Sequence, residues 1–320
     1  MAKKWQLLKH LYRVDLDTTG LCNRTCHFCP RTYKSYPNVN EHMSWETLDI
    51  VLNELRSVNF KGVIELAGRG EPTLHPHFEE LVDRVLDGPW FVRVTTNGYK
   101  IEKYWDTVYS KIDELILNTY TNREEFEERV NKYVALPHNG SLVDHYFKPD
   151  TYSVEEINAL PSQKDYRAKD DAAAFRYAFN NRAGTFSNNR VDGKCWHPMR
   201  QIFINYHGDY QMCCNDWKYQ ITIGNVHERS LIHMYHFDEK LNRIRWSLLQ
   251  GQRQDILPCS TCDDIQGTRA GSVRVMNDFM QTDEYKFLVC PQAAKATPEQ
   301  RKSLRGVDLI PVFEESDTFV

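Results

Sequence analysis

No apolar run in this sequence approaches the roughly 18 residues of a membrane span, so the membrane-spanning helical classes drop out. There is no basic excess either: 40 Lys and Arg stand against 44 Asp and Glu, a formal net charge of −4. Without a global basic field, neither nucleic acid nor an anionic membrane surface is expected as a partner. Residues 1–10 lack the apolar core of a signal peptide, and a cytoplasmic location is expected. No internal repeat or low-complexity segment is present. Apolar residues are not scarce: 41% hydrophobic and 26% charged over 320 residues excludes a wholly disordered chain. The length suits one large domain or two ordinary ones.

Cysteine is what the sequence has in quantity. Nine lie at 22, 26, 29, 195, 213, 214, 259, 262 and 290, in two groups separated by a long cysteine-free stretch. A reducing compartment disfavours a disulfide framework, so clustered cysteines read as metal ligands or catalytic thiols.

The first 180 or so residues alternate strand-like and helix-like patterns. Strands are expected over 12–17, 62–67, 91–96, 114–118, 142–147 and 174–179, with helices after Ser44 as N-cap and over 77–86, 100–110 and 122–134. Repeated strand–helix units imply a parallel sheet, because parallel strands need crossovers. Six such units predict an α/β fold, a partial (β/α)6 TIM-like barrel, with active residues at the C-terminal strand ends. Turn formers at 180–189 mark a linker. Beyond it, 201–206 and 209–213 predict a hairpin turning at His207-Gly208, and 231–249 a helix stopped by Gly251. The expected division is a barrel over 1–185, a small α+β domain over 186–275 and an extension over 276–320.

Cys22, Cys26 and Cys29 form C-x3-C-x2-C just after the first strand. Thiolates suit iron–sulfur clusters or zinc. Three cysteines this close hold three corners of a [4Fe–4S] cube and leave one iron open. A zinc site wants a fourth ligand, for which His27 is near. The stretch from Asp17 to Pro30, Asp-Thr-Thr-Gly-Leu-Cys-Asn-Arg-Thr-Cys-His-Phe-Cys-Pro, resembles the signature loop of the radical S-adenosylmethionine superfamily. The resemblance implies a partial (β/α)6 barrel and an open iron chelated by S-adenosylmethionine. It also implies reductive cleavage to a 5′-deoxyadenosyl radical that abstracts a substrate hydrogen, and a flavodoxin- or ferredoxin-type electron donor. By the same resemblance Phe28 packs near the adenine. Gly68-Arg69-Gly70-Glu71-Pro72, at the end of the second strand, resembles the family's GGEP segment, which holds the methionine amino group. Arg69 departs from that pattern, leaving Gly70 and Glu71 as the carry-over. A glycine lets backbone approach a ligand, and an ammonium wants an acceptor or an anion. Asn97, closing the third strand, and Asn118, closing the fourth, are candidate cofactor contacts by the same resemblance. A turn-capping role is the alternative for each.

In the second group Cys195, Gly208, Cys213 and the pair Cys259-x2-Cys262 resemble the SPASM auxiliary-cluster domain in its shortened twitch form, with one four-cysteine [4Fe–4S] cluster. Counting from Gly208 selects Cys213 over Cys214, and strand neighbours point to opposite faces. A zinc ribbon on the same four cysteines is the alternative. Cys290 reads as a plain buried thiol.

Two [4Fe–4S] clusters and S-adenosylmethionine are thus the expected cofactors. The single auxiliary cluster most resembles aminocyclitol dehydrogenases, which implies oxidation of a small polar substrate such as a sugar or cyclitol. The first strand begins near residue 12, which leaves no room for a peptide-recognition domain before it. The alternatives are an epimerase, with Cys214 as the hydrogen donor, or a peptide-modifying enzyme. A non-catalytic zinc-stabilised module is the alternative of another class. Substrate-facing candidates by strand-end position are Tyr120, His145, Lys148, Asn181 and Arg182, the last as a clamp for a carboxylate or phosphate.

Overall fold

The computed structural model describes residues 11–26, 29–33, 36–119, 123–146, 181–186, 190 and 192–264. Strands β1 (Arg13–Leu16), β2 (Val63–Leu66), β3 (Phe91–Thr96), β4 (Glu114–Thr119) and β5 (Ser141–Tyr146) pair in parallel, each with the next. The crossovers between them carry α1 (Trp45–Ser57), α2 (Phe78–Leu86), α3 (Ile101–Tyr104, continuing as a wider π turn over Trp105–Tyr109) and α4 (Arg123–Val134). Two expected helices begin where their sequence signals stand. Ser44 Oγ accepts from Thr47 N at 3.1 Å and caps α1, and α2 follows directly on His77. The expected sixth strand, 174–179, lies outside the described residues, as does the extension over 276–320.

The strands are two-sided, and their sides differ. Val14, Leu16, Ile64, Leu66, Val92, Val94, Leu115 and Leu117 are buried against Leu48, Val51, Leu52 and Leu55 of α1 and Phe78, Leu81, Val82 and Val85 of α2, within one core. Each such side chain removed from water contributes roughly 1.5–3 kcal/mol. The alternate positions are mostly polar, with Arg13, Asp15, Asp17, Glu65, Arg93, Thr95, Glu114 and Asn118 beside Val63, Phe91 and Ile116. A period of two in parallel strands therefore separates a dry helix-facing side from a polar inner side.

The second segment does not form a sheet of its own. The expected hairpin is present as β6 (Gln201–Ile204) and β7 (Asp209–Gln211), antiparallel, with Gly208 at φ +85 in the turn. A further strand, β8 (Thr222–Asn225), pairs antiparallel with β7. On its other edge β6 pairs in parallel with β1, Arg13 opposite Gln201 and Leu16 opposite Ile204. One eight-stranded sheet results, in the order β5-β4-β3-β2-β1-β6-β7-β8.

The single helix expected over 231–249 is two, α5 (Leu231–Phe237) and α6 (Glu239–Leu249). Asp238 is the break: its backbone is extended, and its carboxylate accepts from Leu241 N at 2.9 Å to start a new helix. Gly251, at φ +78, ends the second one as expected. Among the described residues no helix is long and apolar enough to cross a membrane.

Candidate active site between two cysteine sets

The C-terminal ends of β1 to β4 and the loop after β7 enclose a cavity of about 290 Å³. Its wall includes Cys22, Cys26 and Cys29, the 68–71 turn, Asn97, Asn118 and Arg182, and from the second segment Phe203, Cys214, Asn215 and Trp217. Both halves of the sequence therefore meet at one cavity.

The cysteine loop is held by its neighbours. Asn38 accepts from Cys22 N at 3.0 Å, and Cys29 N donates to Cys26 O at 2.9 Å. Arg31 donates to the carbonyls of Arg69 (3.1 Å) and Gly20 (3.2 Å), tying the loop to the 68–71 turn. Burial pushes Cys29 up to about 11, against the Arg31 backbone N–H and the nearby Arg182 charge, and burial raises Cys22 as well. Half-buried thiols of this kind ionise only when a metal cation compensates them.

Asp17 and Glu71 organise the turn. Asp17 Oδ1 accepts from the backbone N–H of Arg69 (3.1 Å) and Gly70 (3.4 Å), and burial pushes its carboxyl up to about 6 against Arg69. A Cβ on Gly70 would overlap the carbonyl oxygens of Thr19 and Leu21, so only glycine allows this approach to the cysteine loop. Glu71 is buried. Its Oε1 accepts from Thr73 N (3.2 Å), Thr73 Oγ1 (2.8 Å) and Thr96 Oγ1 (2.6 Å), and its Oε2 from Asn97 N (2.9 Å). Three donors crowd Oε1 and one reaches Oε2, which keeps an acceptor position. Glu71 therefore shapes the turn and binds it to the end of β3, and it lines the cavity with the rest of the turn. Asn97 caps its turn, with Oδ1 accepting from Tyr99 N at 3.0 Å, and its Nδ2 reaches Asn23 Oδ1 at 2.9 Å and lies 3.9 Å from Cys22 Sγ.

The second cysteine set surrounds a smaller cavity of about 20 Å³, lined by Cys195, Cys213, Cys259 and Cys262 with His197, Asn215, Arg253 and Asp264. Cys213 faces this cavity and Cys214 faces the large one. Burial pushes Cys259 up to about 12 and raises Cys262 well above its ordinary value, both opposed by the charge of buried Arg253. Backbone N–H groups already point at two sulfurs, Asn215 N at Cys213 Sγ and Asp264 N at Cys262 Sγ, each 3.4 Å. Beside them, His197 Nε2 lies 3.2 Å from Asp264 Oδ2. Burial opposes the imidazolium, but Asp264 outweighs it and lifts His197 to about 10, and the pairing holds Asp264 down at about 2 against its own burial.

Both sets fit iron–sulfur clusters. Zinc–sulfur bonds of about 2.3 Å put tetrahedral sulfurs about 3.8 Å apart. Among the described residues the one group of three ligand atoms within 4.8 Å of one another is His197, Cys213 and Cys214, which takes only Cys213 from the two sets. The sets are spread more widely than one ion requires, as the corners of a cube demand.

Among the other expected residues, Arg182 and Asn118 line the large cavity. Asn181 is not part of it. It is buried, donating Nδ2 to Thr261 O at 2.7 Å and exchanging hydrogen bonds with Asp263, so it fastens the Cys259–Cys262 turn. Tyr120, Lys148, Phe28, His27 and Cys290 lie outside the described residues, as does the side chain of His145. Sequence reasoning missed Arg13, Asp15 and Glu65 on the inner wall. Their signal was available: charged residues two apart inside β1, and one inside the otherwise apolar β2, mark a polar inner face.

The model of the radical SAM superfamily matches residues 16–136. That of the SPASM iron-sulfur cluster-binding domain matches residues 195–263. The S-adenosyl-L-methionine-dependent 2-deoxy-scyllo-inosamine dehydrogenase of Niallia circulans is 23% identical over 260 residues, covering 79% of this chain and 92% of that enzyme. The GTP 3′,8-cyclase of Mannheimia succiniciproducens is 31% identical over 98 residues, 30% of this chain and 28% of that enzyme. Among solved structures, BtrN in complex with AdoMet and 2-DOIA superposes with a TM-score of 0.60 at 19% identity, over 80% of this chain and 94% of that one. Streptococcus suis SuiB bound to precursor peptide SuiA gives a TM-score of 0.53 at 14% identity, over 80% and 70%. Both structural likenesses are likenesses of fold.

Proposed function

The chain belongs to the radical SAM superfamily and carries a SPASM domain, and from that premise we propose that it dehydrogenates a small polar substrate, a sugar or cyclitol, in the cavity between its two cysteine sets. The zinc-stabilised module gives way to this reading, because one match is to the radical SAM superfamily and the other to an iron-sulfur cluster-binding domain. Cys22, Cys26 and Cys29 hold the radical cluster in this reading, and Cys195, Cys213, Cys259 and Cys262 the auxiliary one. When bound, these groups supply a carbon-centred radical that removes a hydrogen atom and, from the second set, a one-electron acceptor.

The observation that carries the proposal is a single cavity whose wall takes the whole first set, Cys22, Cys26 and Cys29, on one side and, on the other, Cys214 and Asn215, the chain neighbours of Cys213 in the second set. The 68–71 turn and Asn97 present the cofactor-facing wall, and Asn118 extends it. Arg253 and the N–H groups of Asn215 and Asp264 favour the anionic form of the auxiliary ligands. The relative named as a dehydrogenase supports oxidation. Cys214 on the cavity wall favours epimerisation as the second reading. Extending the reading to the cell, the protein is cytoplasmic and takes electrons from a flavodoxin- or ferredoxin-type donor. The barrel spans 1–185 and the auxiliary domain 186–275.

The test is iron and labile sulfide per chain after anaerobic reconstitution, with S-adenosylmethionine cleavage measured under reduction. Two clusters in the wild type and one in a Cys22/Cys26/Cys29 triple alanine variant, with 5′-deoxyadenosine made only by the wild type, are expected. One cluster falling to none, with zinc retained, sinks the oxidation as stated.

A further inference from the structure

The cavity has a second wall. With the cysteine loop, the 68–71 turn, Asn97 and Asn118 facing the cofactor, what is left includes Arg13, Asp15, Glu65, Thr95 and Phe203, all on the inner side of β1, β2, β3 and β6. Register puts Phe203, Asp15, Glu65, Arg93 and Glu114 in one row across the sheet.

The guanidinium groups of this wall are committed. Arg13 reaches Glu65 Oε2 at 2.8 Å and both oxygens of Asp15, and Arg93 is shared by Glu65 at 3.4 Å and Glu114. Glu65 is satisfied, with Thr95 Oγ1 donating to its Oε1 at 2.7 Å. Asp15 is different. Gln201 Nε2 and Arg13 both donate to its Oδ2. Its Oδ1 lies 2.7 Å from Arg13 Nε, without the alignment of a hydrogen bond, and accepts none, although the residue is only 4% exposed. A buried carboxylate oxygen without a donor is a cost that a bound hydroxyl removes. With its own cations engaged and Asp15 Oδ1 accepting no hydrogen bond, this wall suits a ligand donor better than an anion.

We propose that Asp15 is the substrate-binding carboxylate of this cavity, accepting a hydrogen bond from a hydroxyl of a small, non-anionic polyhydroxylated molecule and taking that hydroxyl's proton as the carbon beside it is oxidised. This rests on the dehydrogenation reading above. The substrate C–H hydrogen atom leaves to the carbon radical, the O–H bond breaks with its proton going to Asp15 Oδ1, and the remaining electron goes to an iron–sulfur acceptor. The C=O bond forms, and the sum is loss of two electrons and two protons. Burial, with Glu65 and Cys214 facing the carboxyl and Arg13 and Gln201 opposing them, pushes Asp15 up to about 8. The carboxylate able to take a proton therefore accumulates toward that pH, and turnover rises with it.

The test uses reconstituted holoenzyme with S-adenosylmethionine present. Titration calorimetry measures the binding of 2-deoxy-scyllo-inosamine and of glucuronate, an anionic comparison, to the wild type, Asp15→Asn and Glu114→Gln. Expected is binding of the cyclitol and not of glucuronate, weakened at least tenfold in Asp15→Asn and unchanged within twofold in Glu114→Gln. Should Asp15→Asn lose its clusters, Gln201→Leu replaces it. Loss of that donor disfavours the carboxylate, so the rising limb of kcat/KM moves to higher pH. Equal cyclitol affinity in Asp15→Asn, binding of glucuronate as tight as that of the cyclitol, no binding of either probe by the wild type, or an unmoved limb in Gln201→Leu overturns the proposal. Absence of 5′-deoxyadenosine from every cluster-loaded protein refutes the enzyme reading instead, and leaves the affinity comparison to judge Asp15 as the binding group.

Discussion

Asp15 and Asp17 occupy alternate inward positions on and just after β1, and both are buried. Burial pushes Asp17 up to about 6 and Asp15 to about 8, from 3.8 for each. Folding thus favours their protonated forms. The stability that follows is complete below about pH 4 and is lost as pH rises through these folded values. Thermal midpoints of the cluster-free protein are expected to fall between about pH 4 and about pH 8, and Asp15→Asn is expected to flatten the upper part of that fall. An unchanged profile in the variant would place the titration elsewhere. Single residues also carried the clearest sequence signals. The spacing of Cys22, Cys26 and Cys29 is local, and a local spacing survives any fold. Glu71 was legible as a site residue but not in its detail, because its partners Thr96 and Asn97 come from another strand.

At the scale of elements, periodicity served well where one side of a strand or helix is buried by its own chain neighbours. Leu48, Val51, Leu52 and Leu55 mark the dry stripe of α1 before any tertiary contact is known. It failed at Asp238, where an apolar pattern runs on through a residue that ends one helix and caps the next. Asp238→Ala removes the cap and is expected to cost about 1 kcal/mol. The measurement is the urea midpoint, and a midpoint that does not fall would mean that the packing of Leu241, Ile244 and Leu248 alone sets the break. The strand β8 went unread because four residues, two of them Gly224 and Asn225, carry too little pattern to stand out.

At the scale of the whole molecule, Arg69 joins the two segments. It sits in the turn after β2, where the resemblance expects glycine. Its guanidinium lies 3.9 Å from the Tyr219 ring and 4.9 Å from that of Phe203, and donates to Asp216 O at 2.6 Å. Thr47 and Glu54 of α1 add contacts to His227 and Ser230. Arg69→Gly restores the family's residue and deletes the buried link. A loss of about 3 kcal/mol is expected from the desolvated cation–π contacts and the charged hydrogen bond together. Denaturant unfolding of the cluster-free protein reads it: a lower midpoint is expected, and no change would leave the tie to the β1–β6 pairing and the α1 contacts.

The sequence by itself determined the inventory: a strand–helix alternation, two cysteine sets with their spacings, a glycine turn and the family they indicate. These are short-range properties, set by periods of two and 3.6 and by neighbours a few residues apart. Only the tertiary structure decided that β6 extends the barrel sheet through β1 and that Cys213 and Cys214 face different cavities. It also turned Arg69 into a bridge and brought Arg13, Asp15 and Glu65 into one wall with Gln201 behind them. Those depend on contacts between residues as distant in sequence as Asp15 and Gln201, 186 apart, and no local pattern encodes which distant strand a polar side chain will face.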